Sequence, residues 1–569
     1  MGRIVFSSFA LFCLLYSTTA LAQWQPDGAA LSTAIHDQTV PVSVSDGAGG
    51  VIVAWQDFQS GNNWDIYVQR VDASGTALWT TNGVALCTEG ANQTDPAIAS
   101  DGAGGAIVTW YDTRSFPGAD LKSIFAQRVD AGGVPQWTAN GVSLCTEVNG
   151  RGHPMITADG LGGAIVTWED YRNSSTTADI YTQRVDPSGV VQWTTNGVAV
   201  CTAVNDQLGP MIASVGAAGA IITWYDLRNG IDDDIFAQRV DMAGVVQWAP
   251  NGLPVCTAAN SQYLPTILPD GAGGAIITWE DYRNSNYDIF VQRVNNAGTP
   301  LWTPNGVALC TAPGSQGIPM ITTDGSGGAI ITWYDFRNVT DSDIYAQRVN
   351  ASGVPQWPPD GAPVCTAPGN QFNPTIVSDN LGGAIVAWRD LQGGTDYDIY
   401  SQRLNSYGVV QWPPAGVALC TAAGDQSNPT IVSDGASGAI VAWQDPRLTD
   451  YDVYAQEVNA AGIAGARSTG VRDTPSIATL TVLTNDPNPF STTTEFEIGL
   501  PAASDIEVEI YDVAGRRVST LDVAHAAAGL HEIPFSGLDS KGRALPSGVY
   551  FYQVHADNET VARKMVIAR

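Results

Sequence analysis

The side chains able to do chemistry in this sequence are few in kind and regular in place. An Asp stands two residues after a Trp at Asp57, Asp112, Asp170, Asp226, Asp281, Asp335, Asp390 and Asp445. Two residues later comes Arg114, Arg172, Arg228, Arg283, Arg337 or Arg447, with Gln59 and Gln392 in the remaining two places. A second Arg recurs in the pair Gln69-Arg70 and its counterparts, and Glu457 replaces it in the last. Carboxylates so placed could act as general acids and bases or as cation ligands. A residue present in every repeat serves what every repeat needs, however. The pattern therefore assigns them to turn capping and to Asp–Arg bridges inside each unit.

The other reactive types fit no catalytic constellation. Cys87, Cys145, Cys201, Cys256, Cys310, Cys365 and Cys420 fall at equivalent positions, one per repeat. Equivalent sites in side-by-side sheets lie beyond the roughly 7 Å Cα reach of a disulfide, so they read as small buried hydrophobes. Only His36 and His153 precede the C-terminal region, and HExxH, GxSxG, P-loop and EF-hand patterns are missing from the sequence. Asp232-Asp233-Asp234 could take Ca²⁺ but lacks the alternate spacing and Gly of a calcium loop, which favours a solvated acidic turn. No catalytic residue is assigned, and no cofactor is expected.

These residues ride on a repeat. The anchoring tryptophans are Trp55, Trp110, Trp168, Trp224, Trp279, Trp333, Trp388 and Trp443, spaced 55, 58, 56, 55, 54, 55 and 55 residues apart. Within residues 154–202 four strands can be read. PMIT opens on Pro154, placed as a strand's first residue because Pro lacks a donor. A Gly-rich turn at Asp159–Gly163 leads to AIVTW, apolar on both faces; DIYTQRV is the third strand, and VVQW running on to GVAVCT the fourth. Four strands per unit of about 55 residues describe the blades of an eight-bladed β-propeller. A second Trp occurs at Trp79, Trp137, Trp193, Trp248, Trp302, Trp357 and Trp412 and is missing from the eighth repeat. Trp24–Thr33 matches Trp79–Thr88, so the N-terminal strand should complete the last blade and close the ring.

Composition and termini bound the setting. The chain of 569 residues carries a formal charge of −30 and 44% hydrophobic residues, enough for a large core. So acidic a surface repels nucleic acid and anionic lipid. Arg3, the apolar run Ile4–Tyr16 and Ala20-Leu21-Ala22 form a signal peptide over residues 1–22, and no apolar run is long enough for a transmembrane segment in the mature chain. The propeller is expected over 23–461 and a linker over 462–479.

Residues 480–569 change period. Asp505–Tyr511 alternates strictly, as in a strand with one wet face of a β-sandwich. The run Asn485-Asp486-Pro487-Asn488-Pro489-Phe490, the segment IEVEIYDVAGRRV at 506–518, LPSGVYFY at 545–552 and Arg563-Lys564-Met565-Val566-Ile567 carry a family likeness. This stretch resembles the C-terminal sorting domain of the type IX secretion system and the Ig-like domain of flagellar hook-capping proteins. The resemblance implies export-machinery partners and a secreted or outer-membrane surface location in a Gram-negative bacterium. The repeats resemble bacterial β-propeller repeat proteins; their likeness to the sialidase Asp-box is limited to a Gly-rich turn before a Trp.

Function then falls to what the repeats do not copy. Trp64 lies outside both Trp frames, and Phe116 sits in the longest loop between second and third strands. Both are candidate rim contacts for a glycan or protein ligand. The reading is a surface binding module; the alternative is a secreted glycan-active hydrolase or lyase.

Overall fold

The computed structural model describes residues 24–115, 122–147, 150–392, 394–465, 481–486, 494–500, 503–526, 529–541, 543–556 and 559–567. The signal peptide, Phe116 and most of the linker lie outside them. The chain divides into two compact units, residues 1–466 and 467–569.

The first unit contains eight four-stranded antiparallel sheets. The third blade shows the plan: Arg151–Ala158, Ala164–Asp170, Asp179–Val185 and Val198–Cys201, from axis to rim. First strands of neighbouring sheets lie side by side all the way round, the eighth against the first. This is an all-β propeller.

The period-two alternation of a strand explains why AIVTW is apolar on both faces. Ala164, Val166 and Trp168 face the second blade with Ile124, Ala126 and Cys145. Ile165 points the other way, with Ile180, Trp193 and Cys201, onto Ala220, Ile222 and Trp224 of the fourth. Eight such clusters exist, one per junction. A linear stack of eight blades would have one fewer. The eighth cluster is the closure: Trp24 and Leu31 with Ile440 and Ala442 against Val51, Val53 and Trp55.

Closure occurs as the matching sequences require. Ala29–Ser32 pairs with Asp452–Val458 of the last blade. Trp24 Nε1 donates to the Ala73 carbonyl at 3.2 Å, as Trp79 does to Ala131 and Trp137 to Pro187, each reaching the next blade's turn. Arg447 Nη2 donates to the Asp27 carbonyl at 2.6 Å.

Three expectations need correction. The repeated Pro does not open its strand. Pro154 lies inside Arg151–Ala158 at a bulge, where the register shifts between Gly152 and Met155 and His153 has φ 45°. The second-frame Trp precedes the outer strand rather than standing in it, Trp193 coming before Val198–Cys201. Residues 462–465 still belong to the last blade, since Ala464 bridges Val458 and Gly465 N–H donates to the Glu457 carbonyl.

The second unit has a three-stranded and a four-stranded sheet. Ile506, Val508 and Ile510 of the alternating strand Ser504–Asp512 enter a core with Phe496, Phe535, Tyr552 and Met565.

Trp24→Ala should lower the unfolding free energy of the full chain by roughly 3–5 kcal/mol, measured by denaturant titration, since it empties one junction. A change comparable to an exposed-residue substitution would refute closure through Trp24.

Candidate functional site

Most candidate chemistry is absorbed by the ring. In the third blade Asp170 is fully buried, and its Oδ2 accepts from Trp168 Nε1 at 2.8 Å. Its two oxygens take the Arg172 backbone N–H and Nε at 2.9 Å and Nη2 at 2.5 Å. Arg172 Nη2 also donates to the Asn196 carbonyl at 2.7 Å, and its guanidinium lies 3.8 Å over the Tyr181 ring. Near the opposite end, Asp159 caps its turn through the Leu161 and Gly163 N–H groups and pairs with Arg184. These carboxylates have their acceptor sites filled by the fold.

The cysteines hold a more polar place than small hydrophobes would. Cys145 Sγ accepts from Arg172 Nη2 of the next blade at 3.3 Å. All seven described cysteines are buried and free. Burial pushes Cys87, Cys201, Cys256, Cys310 and Cys365 up to about 12, so they are not thiolates at neutral pH.

The loops between second and third strands share one end of the ring with the connections between blades: Gln93 N–H donates to the Trp64 carbonyl, and Gln207 N–H to that of Ala178. Trp64 is there, half-buried, its ring 5.1 Å from that of Phe58. Asp232 and Asp234 are both held by Asn229 Nδ2, at 2.6 and 3.1 Å. Among the described residues no group of three or more His, Cys, Asp or Glu is arranged to hold a metal ion.

A different set of residues converges at this end. The position just after the anchoring Trp is Gln56, Tyr111, Glu169, Tyr225, Glu280, Tyr334, Arg389 and Gln444 in successive blades. It lies opposite the Trp on the strand and so faces the next blade. Gln56 Oε1 accepts from Asp95 N–H at 3.1 Å, Glu169 Oε1 from Gly209 at 2.8 Å, Glu280 Oε1 from Ile318 at 2.7 Å, and Gln444 Oε1 from Val40 at 3.2 Å. Each donor is the positive-φ residue before the repeated Pro. The bulge therefore turns one backbone N–H toward the neighbouring blade.

Beside Tyr225 and Tyr334, two of the three tyrosines at this position, rings accumulate. Tyr225 meets Tyr263 at 5.6 Å between centroids, Tyr263 meets Tyr287 at 6.3 Å, and Tyr287 meets Tyr282 at 5.0 Å. Tyr334 touches Phe336 and Phe372 at 5.8 and 5.6 Å. Arg389 lies over Phe372 and Tyr397, 5.7 and 4.5 Å from their centroids. Tyr225, Tyr263, Tyr287, Tyr334, Phe372 and Tyr397 are all half-buried. A Cβ at Gly317 would collide with the Tyr334 hydroxyl, which is why the first strand carries Gly there.

Charge shapes the belt. Burial, then the neighbouring Glu169 and Asp233 carboxylates, pushes the Tyr225 phenol up to about 12; burial and Glu280 raise that of Tyr334. The phenols stay protonated and can donate as well as accept. Beside the belt, Glu169 Oε1 stands 2.9 Å from His153 Nδ1, and this hydrogen bond raises the imidazole's pKa. Glu169 is buried, whereas the His153 side chain is 74% exposed. Sequence reasoning missed this belt; its trace was the variable residue between Trp and Asp.

A ring of carboxyls around this end gives the fold a pH dependence. Burial, with help from neighbouring carboxylates, pushes Asp65, Asp234, Asp343 and Asp398 up to about 6 and Asp452 to about 7, from 3.8. The folded chain thus holds protons that the unfolded chain releases, and stability present near pH 4 is lost as pH rises through about 6 to 7. The denaturation midpoint should fall between about pH 5 and pH 8, and Asp452→Asn should flatten that slope. A midpoint rising over the interval contradicts the assignment.

Comparison with known proteins adds a family for one part of the chain. No curated protein matches it. Among solved structures, a polysaccharide lyase described as an ulvan lyase is 10% identical, with 77% of this chain and 96% of that chain covered and a TM-score of 0.39. PorZ, described as a surface component of the type IX secretion system of Porphyromonas gingivalis, is 11% identical over 95% of this chain and 100% of its own, at 0.21. FlgD from P. aeruginosa is 24% identical over 15% of this chain and 70% of its own, at 0.13. Residues 485–560 match the FlgD Ig-like domain family, so the second unit carries an Ig-like domain.

Proposed function

We propose that this protein is an exported surface protein whose propeller binds saccharide along the aromatic belt of blades four to seven. Its N-terminal Arg3, apolar run and Ala20-Leu21-Ala22 support export, and its C-terminal module is the part that export machinery would engage. The observation that carries the binding reading is the belt from Tyr225 through Tyr263, Tyr287, Tyr334 and Phe372 to Tyr397, built at positions the repeats do not copy. Sugar rings have apolar faces and hydroxyl edges. Half-buried rings offer the faces a platform, while protonated phenols and nearby carboxylates bond the edges.

Catalysis is the second reading, a glycan-active hydrolase or lyase, and one observation favours it. Glu169 and the exposed His153 form an acid–base pair beside the belt. Glu169 Oε1 also accepts the Gly209 N–H, a structural contact that competes with a catalytic role.

A glycan array beside a product-release screen tests the proposal. Tyr263→Ala and Phe372→Ala should weaken binding roughly tenfold each, as losses of aromatic anchors do, while Trp64→Ala leaves it unchanged. Product release would replace the binding-only reading with the catalytic one. Unchanged affinity in both belt variants would remove the belt as the site.

A further inference from the structure

Arg389 differs in kind from the acceptors that four other junctions carry at its position. At two other junctions this position supplies a carboxylate oxygen to the next blade's bulge N–H, from Glu169 to Gly209 and from Glu280 to Ile318. At the junction of blades seven and eight the bulge residue is Asn428, with φ 52°, and the position that supplies the acceptor holds a guanidinium. Donor meets donor.

The arginine is also without a counter-charge. Among the described residues Arg389 makes no ion pair, and its Nε is buried without an acceptor. Nearby carboxylates are engaged elsewhere: Asp396 accepts from Gly424 N–H at 2.7 Å, Asp425 from Tyr397 N–H at 2.9 Å, and Asp390 from Trp388 Nε1 at 2.7 Å. Among the described arginines of this unit Arg239 alone shares that condition. It lies on the Ala218 carbonyl, in the turn between first and second strands of its own blade, and on the Asn296 carbonyl, in the turn after the third strand of the next. A buried charged donor without an acceptor is costly, and an oxyanion with two coplanar oxygens matches the guanidinium fork.

Resting on the saccharide reading above, we infer that Arg389 and the Asn428 N–H form a subsite for the carboxylate of a uronic-acid residue. Its ring lies against Phe372 and Tyr397. The ligand oxygen takes the place that Glu169 Oε1 and Glu280 Oε1 occupy at the other junctions. An acidic glycan is thereby selected by a protein of net charge −30, because the cation sits within the aromatic belt.

The test uses the full mature chain and a panel of uronic-acid oligosaccharides, each beside its carboxyl-reduced counterpart and a sulfated neutral oligomer, with affinities measured calorimetrically. Wild type should prefer the uronate over its reduced form roughly tenfold, the worth of one charge-assisted contact. Arg389→Gln should abolish that preference, and Arg389→Lys should restore part of it. A preference that survives Arg389→Gln, or equal affinity for both forms in wild type, overturns the subsite while leaving the belt standing. Tighter binding of the sulfated oligomer overturns the carboxylate assignment. Binding of none of the three overturns the saccharide reading itself.

Discussion

Each second strand of this propeller is buried on both faces, and the whole structure depends on that constraint. A blade such as Ala164–Asp170 has no side it can leave wet, because Ile165 needs the fourth blade and Val166 and Trp168 need the second. Such a unit is stable only between two neighbours, and the end blades of a stack would each expose an apolar sheet. Closing the ring meets the demand for all of them at once. Trp24 and Leu31 fill the last junction from the far end of the chain.

The same constraint separates scaffold from site. Trp168, Asp170, Arg172 and Cys145 join two blades through one buried network, in which indole and guanidinium hydrogens find acceptors. A side chain fixed by such a network cannot vary without loosening a junction. One residue earlier than Asp170, the chain emerges at the end of the ring facing the next blade, where Gln, Tyr, Glu and Arg are all tolerated by packing. Freedom from the scaffold is what lets that position differ from blade to blade, and binding chemistry needs such differences.

The fold was legible for a physical reason: each junction needs one second-frame Trp, so seven in the repeats plus Trp24 specify a ring. The bulge was not. Pro154 reads as a strand start because it lacks a donor, yet the backbone before it turns to positive φ, as it does at Val40, Asp95, Gly209 and Ile318, whose N–H groups reach the neighbouring blade. Val40, Leu264 and Ile318 adopt that conformation without any local preference for it. The belt was hidden in another way. Tyr225 and Tyr263, like Tyr334 and Phe372, lie tens of residues apart and become neighbours only when blades stand side by side. Trp64 stood out in the sequence by being irregular, and its ring lies 5.1 Å from that of Phe58 in its own loop. The Ig-like unit was legible from the alternation of Ile506, Val508 and Ile510.

Copied residues build the ring, and the uncopied position after the anchoring Trp meets the ligand in blades four, six and seven, at Tyr225, Tyr334 and Arg389. Hydrogen–deuterium exchange of the full chain, with and without a bound oligosaccharide, tests this most directly. Protection should appear at the strand ends bearing Tyr225, Tyr334 and Arg389 and at the first strands bearing Tyr263 and Phe372. Protection confined to the Phe58–Trp64 loop or to the Ig-like unit would contradict it.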